Sequence, residues 1–222
     1  MSGGTGFFLA LEGVEGAGKS TQAALLAEAL RERGRVVTLA REPGGTLLGE
    51  RVRETVLRDK TVRVPAESEL FLMLAARAAF VQEVVRPALT RCEVVVADRF
   101  ELSTFAYQAG GRGLPLEEVR RCNQLATGGL SPDATLLLEL SVEEGASRRH
   151  LAGEAVDRME SAGKSFHRRV ADSYRELAAQ LSSLVLVDAR GSRQEVHGRV
   201  LEGLQARFPE LFGVSGVSSE ID

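Results

Sequence analysis

The segment from Leu9 to Thr21, LALEGVEGAGKST, constrains the fold more than any other part of the chain. Gly13 to Ser20 fits the pattern G-x-x-x-x-G-K-[ST], with an apolar run before it and a helical pattern after it. Glycines in such a loop permit tight turns that point backbone N–H groups inward, and the following helix adds the positive end of its dipole. The segment therefore predicts a P-loop that binds the phosphates of a nucleoside triphosphate.

The P-loop pattern gives its polar side chains expected roles. Lys19 is expected to reach the terminal phosphates, and Ser20 to hold a Mg²⁺ ion that bridges them. The residues predicted to bind the nucleotide are Gly13, Val14, Glu15, Gly16, Ala17, Gly18, Lys19, Ser20 and Thr21.

A second apolar run, Val94 to Ala97, ends in the carboxylate of Asp98, and Arg99 follows it. A buried strand that ends in aspartate is typical of the Walker-B element, which holds magnesium opposite the P-loop serine. The alternative is that Asp98 only caps the next turn. The P-loop upstream favours the metal role, so Ser20 and Asp98 are the predicted magnesium ligands.

Composition is that of an ordinary globular protein, with 44% hydrophobic and 27% charged residues among 222. The net charge of −3 argues against a general nucleic-acid binder or an anionic-membrane binder. Cys92 and Cys122 lack the spacing of a metal site and are expected to be reduced thiols. Because we find neither a signal-peptide pattern nor an apolar stretch near the roughly 20 residues of a membrane span, we expect a cytoplasmic protein.

Five short apolar runs alternate with helical patterns, which predicts an α/β fold with a five-stranded parallel sheet and helices on both faces. The expected strands cover 7–11, 36–39, 94–98, 136–140 and 184–188. Helices are expected over 47–57, over 66–85 with Pro87 ending the helix, and over 103–108, followed by a flexible loop at 109–113. We expect one domain over 1–212 and a small, polar, disordered tail over 213–222.

Three other segments each allow two interpretations. Arg77 lies among apolar residues of a predicted helix, either as a surface side chain or as a donor aimed into a pocket. The turn Arg41–Thr46, REPGGT, follows a strand and is either a ligand-binding loop or a plain turn. The segment from 143 to 169 is the most polar and least regular; it is either a basic lid, about 143–165, or a solvated loop.

These stretches together resemble the thymidylate kinase family, the P-loop kinases that convert dTMP to dTDP. The resemblance rests on the P-loop, REPGGT at 41–46, Asp98-Arg99, STFAYQAGGRG at 103–113 and DRME at 157–160. It extends in order over about residues 5 to 210. It implies a nucleoside monophosphate kinase-like fold, ATP and Mg²⁺ as nucleotide and cofactor, and a homodimer.

The resemblance also implies residue roles. Glu15 would face the deoxyribose 3′-hydroxyl, Arg53 and Arg99 would grip the dTMP phosphate, and Arg77 and Gln108 would hydrogen-bond the thymine. The implied substrate-binding residues are Glu15, Glu42, Pro43, Arg53, Met73, Arg77, Arg99, Ser103, Tyr107 and Gln108. The implied catalytic residues are Lys19, Arg99, Asp98, Glu15, Arg148, Arg149 and Arg158.

One feature of the P-loop resembles one of two types within the family, and one helix position departs from the family pattern. The P-loop contains no arginine, as in the bacterial type that supplies basic charge from its lid, where Arg148, Arg149 and Arg158 are candidates. Met73 occupies the helix position at which the family usually has a phenylalanine stacking on thymine. A kinase of the same fold acting on another nucleotide or on a deoxynucleoside stays open as an alternative, as does a non-catalytic nucleotide switch.

Overall fold

The computed structural model describes residues 6–153 and 157–212. Residues 1–5, residues 154–156 of the predicted lid and the predicted tail at 213–222 lie outside the described residues. The strands are β1 (Phe7–Glu12), β2 (Val37–Arg41), β3 (Val94–Asp98), β4 (Ala134–Glu139) and β5 (Leu184–Asp188). The helices are α1 (Lys19–Glu32), α2 (Leu47–Arg53), α3 (Ala66–Phe80), α4 (Arg86–Thr90), α5 (Glu101–Thr104), α6 (Leu116–Thr127), α7 (Val142–Ala152), α8 (Lys164–Ala178), α9 (Arg193–Arg207) and α10 (Pro209–Phe212).

The five strands form one parallel sheet in the order β2-β3-β1-β4-β5, which confirms the predicted architecture. β1 is central, with Leu9 paired to Val96 of β3 and to Ala134 of β4. Helices cover both faces, so central strands of almost uninterrupted apolar sequence are buried on both sides. The P-loop, which follows β1, therefore lies at the centre of the sheet edge formed by the carboxyl ends of the strands.

The core has one layer on each face of the sheet. On one face Leu26 and Leu30 of α1 pack with residues of β1, β4, α8 and α9. On the other face Phe8, Phe80 and Phe100 pack together, and the rings of Phe8 and Phe100 meet edge to face at 4.9 Å. These layers hold the carboxyl ends of the strands in a fixed arrangement.

Pro87 does not end the long helix, contrary to the sequence prediction. α3 continues through wider turns at Val81–Val85 and then into α4, which ends at Thr90. A proline ring normally collides with a carbonyl of the preceding α-helical turn. The wider turn immediately before α4 changes the position of those carbonyls, and Pro87 then lies in the first turn of α4, where its missing N–H costs little.

The predicted flexible loop at 109–113 is also largely helical. α5 continues through wide turns from Phe105 to Gly111. A Cβ atom at Gly110 would overlap the hydroxyl of Ser173, and one at Gly111 would lie 2.5 Å from the ring of Phe166. These glycines therefore permit close packing against α8, which the sequence pattern did not distinguish from a flexible loop.

The polar segment that we expected to be least regular begins with a well-formed helix. The side chain of Ser141 accepts a hydrogen bond from the backbone N–H of Glu144 and so caps α7, and Gly153 ends the helix with φ of 65°. A short 3₁₀ turn, Glu160–Ala162, precedes α8. None of the helices in the described residues is long and apolar enough to cross a membrane.

Candidate active site

A cleft of about 620 Å³ lies at the carboxyl ends of the strands, where parallel α/β sheets bind ligands. The P-loop forms its middle. Residues that follow β2 and β3, together with α3 and the helix from 101 to 111, line one side, and α7 and the residues after β5 line the other. The predicted site residues that line it are Glu15, Gly16, Ala17, Gly18, Lys19, Ser20, Thr21, Glu42, Pro43, Arg53, Met73, Arg77, Asp98, Arg99, Ser103, Tyr107, Gln108, Arg148 and Arg149.

The P-loop has the backbone form that a phosphate cradle requires. A Cβ atom at Gly13 would lie 2.5 Å from the carbonyl oxygen of Leu138, so only glycine fits between β1 and β4. Gly18 adopts a left-handed φ of 91° and is the N-cap of α1, where it offers no side chain to the first N–H groups of the helix. Those N–H groups and the helix dipole favour an anion at this point.

Lys19 is buried at the start of α1, and its Nζ donates a hydrogen bond to the carbonyl oxygen of Val14 at 2.7 Å. Burial, together with the positive charge of Arg99, lowers the pKa of Lys19 to about 8. The ammonium is thus held in the loop beside the cradle, and a bound phosphate would favour its charged form.

Ser20 and Asp98 face each other across the cleft floor, and the Ser20 hydroxyl donates a hydrogen bond to Oδ2 of Asp98. The other carboxylate oxygen, Oδ1, is buried and has no hydrogen-bond partner among the described residues. A buried oxygen without a partner is costly unless a ligand satisfies it. The pair therefore fits a Mg²⁺ ion that takes its remaining ligands from phosphates and water. Within the described ranges, no group of three or more His, Cys, Asp or Glu residues could hold a metal ion by itself.

Arg99 and Glu15 form an ion pair at 2.5 Å beside the P-loop lysine. Tyr107 donates its hydroxyl hydrogen to Glu15 at 3.0 Å, and Arg99 also donates to the hydroxyl of Ser103 at 2.9 Å. Burial would raise the pKa of Glu15, but the charges of Arg99 and Lys19 outweigh it and lower that pKa to about 2. Glu15 is therefore ionised at neutral pH and holds the Arg99 guanidinium in the cleft.

The main chain around Arg99 is held by Glu12, a residue that the sequence analysis missed. Glu12 is fully buried at the end of β1 and accepts hydrogen bonds from the backbone N–H groups of Phe100 at 2.9 Å and Ser103 at 3.1 Å. Arg99 itself adopts φ of 76°, a left-handed conformation that is uncommon for a residue with a side chain. The contacts of Glu12 stabilise this turn and aim Arg99 at the P-loop.

Arg77 is a buried donor in the cleft wall rather than a surface side chain. Its guanidinium contacts Glu42 at 2.8 Å, and its other hydrogen bonds go to side-chain oxygens of Thr104 and Asn123 and to the Phe100 carbonyl, each at 2.8–2.9 Å. All five of its N–H groups therefore have acceptors in the protein. To hydrogen-bond a bound base, Arg77 would have to give up one of these acceptors or share one N–H group between that acceptor and the base.

Arg53 reaches the cleft from the end of α2. It donates to the carbonyl oxygen of Pro43 at 3.0 Å, while its Nε is buried with no partner among the described residues. Burial and the nearby charge of Arg41 lower its pKa, although a guanidinium stays charged at neutral pH. A partly desolvated guanidinium of this kind is suited to a phosphate group.

The lid arginines take different positions. Arg148 donates to the carbonyl oxygen of Ala189 at 2.9 Å, and Arg149 lies near enough to Glu15 to help lower its pKa. Arg158 does not line the cleft; it donates to the carbonyl oxygen of Val56 at 2.7 Å and to Glu69 at 2.9 Å. Among these three arginines, the geometry thus favours Arg148 and Arg149 for contact with a nucleotide.

Gly145 explains how α7 brings its arginines to the P-loop. A Cβ atom at Gly145 would overlap the carbonyl oxygen of Glu15, and one at Gly16 would overlap the carbonyl oxygen of Gly145. The two backbones are therefore in direct contact. Arg148 and Arg149 follow Gly145 by three and four residues, which places them on the same helix face.

A family model described as Thymidylate kinase matches residues 11–200 of this chain. The chain belongs to the thymidylate kinase family. It is 46% identical over 208 residues to a thymidylate kinase of Pseudomonas syringae pv. tomato, covering 93% of this chain and 97% of the relative. It is also 46% identical over 203 residues to a thymidylate kinase of Synechococcus sp. (strain JA-2-3B'a(2-13)), covering 91% and 96%.

A solved structure shares the fold. The crystal structure of thymidylate kinase from Ehrlichia chaffeensis superposes with a TM-score of 0.74 at 28% sequence identity, covering 90% of this chain and 100% of that chain. The predicted family resemblance is thus confirmed, and so is the P-loop α/β fold. The roles of individual residues in this thymidylate kinase family member stay predictions, and the contacts in the cleft make each of them specific.

Several residues of the cleft were missed by the sequence analysis of this thymidylate kinase family member. The side beyond β5 is formed by Gly191, Ser192, Arg193 and Val196, and Gln22 of α1 donates to the carbonyl oxygen of Arg193 at 3.0 Å. Their position after a parallel strand was an available signal. Glu12 and Glu69, which hydrogen-bond residues of the cleft wall, gave no such signal, because their hydrogen-bond partners are distant along the chain.

Proposed function

We infer that this chain transfers the γ-phosphoryl group of ATP to dTMP, giving dTDP and ADP. The observation that carries the inference is the cleft itself, in which the P-loop lysine shares one space with Arg99 and Arg53. A hydrolytic switch needs no second phosphate site, whereas a kinase for nucleoside monophosphates must hold an acceptor phosphate beside the γ-phosphate. Family membership supports the same conclusion.

We propose that the two substrates enter from opposite sides of the P-loop. β5 lies at one edge of the sheet, so ATP would place its adenosine near Gly191 and Val196 and its phosphates on the P-loop. β2 and β3 lie on the other side of β1, so dTMP would bind near Met73 and Gln108. The acceptor and the γ-phosphate then meet above Lys19.

Catalysis in this arrangement consists of positioning and charge neutralisation. Arg99 and Arg53 would fix the dTMP phosphate so that one oxygen forms a bond to the γ-phosphorus while the bond from γ-phosphorus to the bridging oxygen of ADP breaks. Lys19 and the N–H groups of α1 would hold the transferring and leaving oxygens. Ser20 and Asp98 would hold Mg²⁺, which neutralises phosphate charge when bound.

Glu15 has a proposed second role in this reaction. Its ionised carboxylate fixes Arg99 in the absence of substrate, and it is an acceptor suited to the 3′-hydroxyl of the deoxyribose. Tyr107 hydrogen-bonds Glu15 at 3.0 Å and would pack beside the sugar.

The assembly and location of the protein are also proposals. Helices α2 and α6 each pack against α3, and all three carry an exposed apolar side chain: Leu48, Phe71 and Leu125. Exposed apolar side chains on neighbouring helices support a homodimer. Cys92 and Cys122 are both free thiols, which supports the cytoplasm as the location. We retain the segment from about 143 to 165 as the proposed lid within a single domain.

The test is a comparison of initial phosphorylation rates with ATP and Mg²⁺ for dTMP, dUMP, UMP, dCMP and thymidine. A large preference for dTMP supports the proposal and shows that Met73 can hold thymine without an aromatic face. Similar rates for dTMP and dUMP would leave a nucleotide kinase without thymine selectivity. Bound ATP with transfer to none of the acceptors would favour a non-catalytic switch. Lys19→Ala is the matched control and should abolish transfer in a folded protein.

A further inference from the structure

Glu69 is a fully buried carboxylate in α3 that joins three segments of the chain. Its Oε1 accepts hydrogen bonds from Nε2 of Gln108 at 2.9 Å and from Nε of Arg112 at 3.1 Å. Its Oε2 accepts from the terminal nitrogens of Arg112 and Arg158, each at 2.9 Å. Two guanidinium groups thus compensate the buried charge and hold the carboxylate in one orientation.

Among the described residues, the Gln108 amide is the one neutral side chain that hydrogen-bonds Glu69, and its orientation follows from chemistry. The nitrogen and oxygen of an amide have nearly the same shape, so packing alone does not decide which way the group points. An ionised carboxylate only accepts hydrogen bonds, so Glu69 requires the NH₂ group of Gln108 to face it. Gln108 is 2% exposed and lines the cleft beside Met73 and Arg77. The carbonyl oxygen is therefore the atom left for a ligand.

We propose that Glu69 is a positioning residue that sets the base selectivity of the acceptor site by forcing Gln108 to present its carbonyl oxygen. This inference rests on the proposed function. Thymine and uracil carry an N–H donor at N3, whereas cytosine has an acceptor at that position. An amide oxygen fixed toward N3 hydrogen-bonds the first two bases and repels cytosine. Glu69 itself does not need to touch the substrate.

Glu69→Gln tests this proposal with almost no change in shape. Two guanidinium N–H groups, from Arg112 and Arg158, donate to the Oε2 position, whereas only one, Nε of Arg112, is placed to donate to Oε1. The carbonyl oxygen of the new side chain therefore belongs at the Oε2 position, and its NH₂ group faces Gln108. Gln108 then accepts with its oxygen and turns its NH₂ group to the base. We expect the ratio of kcat/KM for dTMP to that for dCMP to fall about tenfold or more.

Two readouts separate this effect from a general loosening of the site. The ratio of kcat/KM for dTMP to that for dUMP should not change, because both bases carry the same N3–H. The KM for ATP should also stay the same, because the P-loop lies outside the cluster. Glu67→Gln, an exposed carboxylate on the same helix, is the matched control and should leave every ratio unchanged. In a Gln108→Ala background, Glu69→Gln should have no further effect on the dTMP to dCMP ratio.

Circular dichroism and thermal unfolding establish that each variant is folded. The double variant Glu69→Gln/Arg112→Gln serves if the single variant does not fold, because it makes the same change toward Gln108 with a balanced charge. A folded variant that keeps the wild-type dTMP to dCMP ratio overturns the proposal, and so does an equal fall in the dTMP to dUMP ratio. Failure of the wild-type protein to phosphorylate dTMP would instead overturn the proposed function.

Discussion

Arg77 and Glu42 form a buried ion pair in the wall of the cleft, with 4% and 3% of their side chains exposed. Two guanidinium nitrogens of Arg77 lie 2.8 and 2.9 Å from the same carboxylate oxygen of Glu42. A buried charge that loses its partner is strongly destabilising because neither water nor another ion replaces it. The pair is therefore part of the structure of the cleft before any substrate binds.

We expect Glu42→Ala to lower the free energy of unfolding by about 3–5 kcal/mol, the usual cost of breaking a buried pair. Urea denaturation measures this change. Glu50→Gln is the control: it breaks an ion pair with Arg41 whose side chains are 51% and 48% exposed, and should cost less than about 1 kcal/mol. Equal losses of unfolding free energy in the two variants would contradict the prediction that the buried pair contributes more to stability than the exposed one.

Affinity for ATP should fall as the pH rises above about 8. The pKa of Lys19 in the free protein is lowered to about 8, so its positive charge is present below that pH and is lost above it. Bound phosphates raise this pKa again, so kcat should persist to higher pH than kcat/KM for ATP. Steady-state kinetics between pH 6.5 and 10 at constant ionic strength would check whether kcat/KM for ATP falls at lower pH than kcat does. A kcat/KM for ATP that is flat over that range would exclude Lys19 as the titrating contact.

Gly145→Ala should sharply reduce nucleotide binding and turnover, because the new Cβ atom pushes α7 away from the P-loop at Glu15. Gly198→Ala in α9 is the matched control, since a Cβ atom there meets nothing within 4 Å. That change should leave kinetics intact and stabilise the protein by about 0.5–1 kcal/mol through helix propensity. Isothermal titration with ATP and thermal unfolding distinguish the two variants. Wild-type ATP affinity in a folded Gly145→Ala protein would show that the contact is not needed.

Arg149 and Arg158 should differ in what their loss affects. Arg149 lines the cleft near Glu15, so Arg149→Gln should lower kcat by about 10²-fold or more if it stabilises the transferring phosphoryl group. Arg158→Gln should change kcat by less than about tenfold and should mainly lower the unfolding temperature, because it removes a partner of buried Glu69. Rapid-quench measurement of the chemical step separates these effects. The reverse order of kcat values would assign the catalytic role to Arg158 instead.

Local patterns in the sequence were sufficient for the strands, the P-loop and the Asp98-Arg99 turn. Each of these is determined by neighbours along the chain: apolar runs for strands, glycines before a helix for the cradle. The β4 and β5 strands were likewise placed to within two residues at each end. Family resemblance added the predicted roles of Arg53 and Gln108, which composition and spacing did not provide.

The wrong predictions and the residues that were missed depend on contacts between segments distant along the chain rather than on local patterns. The predictions that Pro87 ends a helix and that Gly110 lies in a flexible loop came from rules for an isolated helix. In the folded chain, the wide turns before Pro87 and the packing of Gly110 against α8 override these rules. Glu12 and Glu69 were missed because a buried carboxylate is recognised by its partners, and the partners of Glu69 lie 39 to 89 residues away along the chain. Such pairings are visible only when the chain is folded.

The contact between Gly16 and Gly145 limits how this architecture could be recombined. The helix that carries Arg148 and Arg149 could be replaced by another only if the replacement had a glycine at its fourth residue, where Gly145 stands in Val142–Ala152. A compensating change in the P-loop cannot relieve the requirement, because the atom in the way is a backbone oxygen of Glu15. The nucleotide cradle and the basic helix above it are thus one inseparable unit for any chimera or graft.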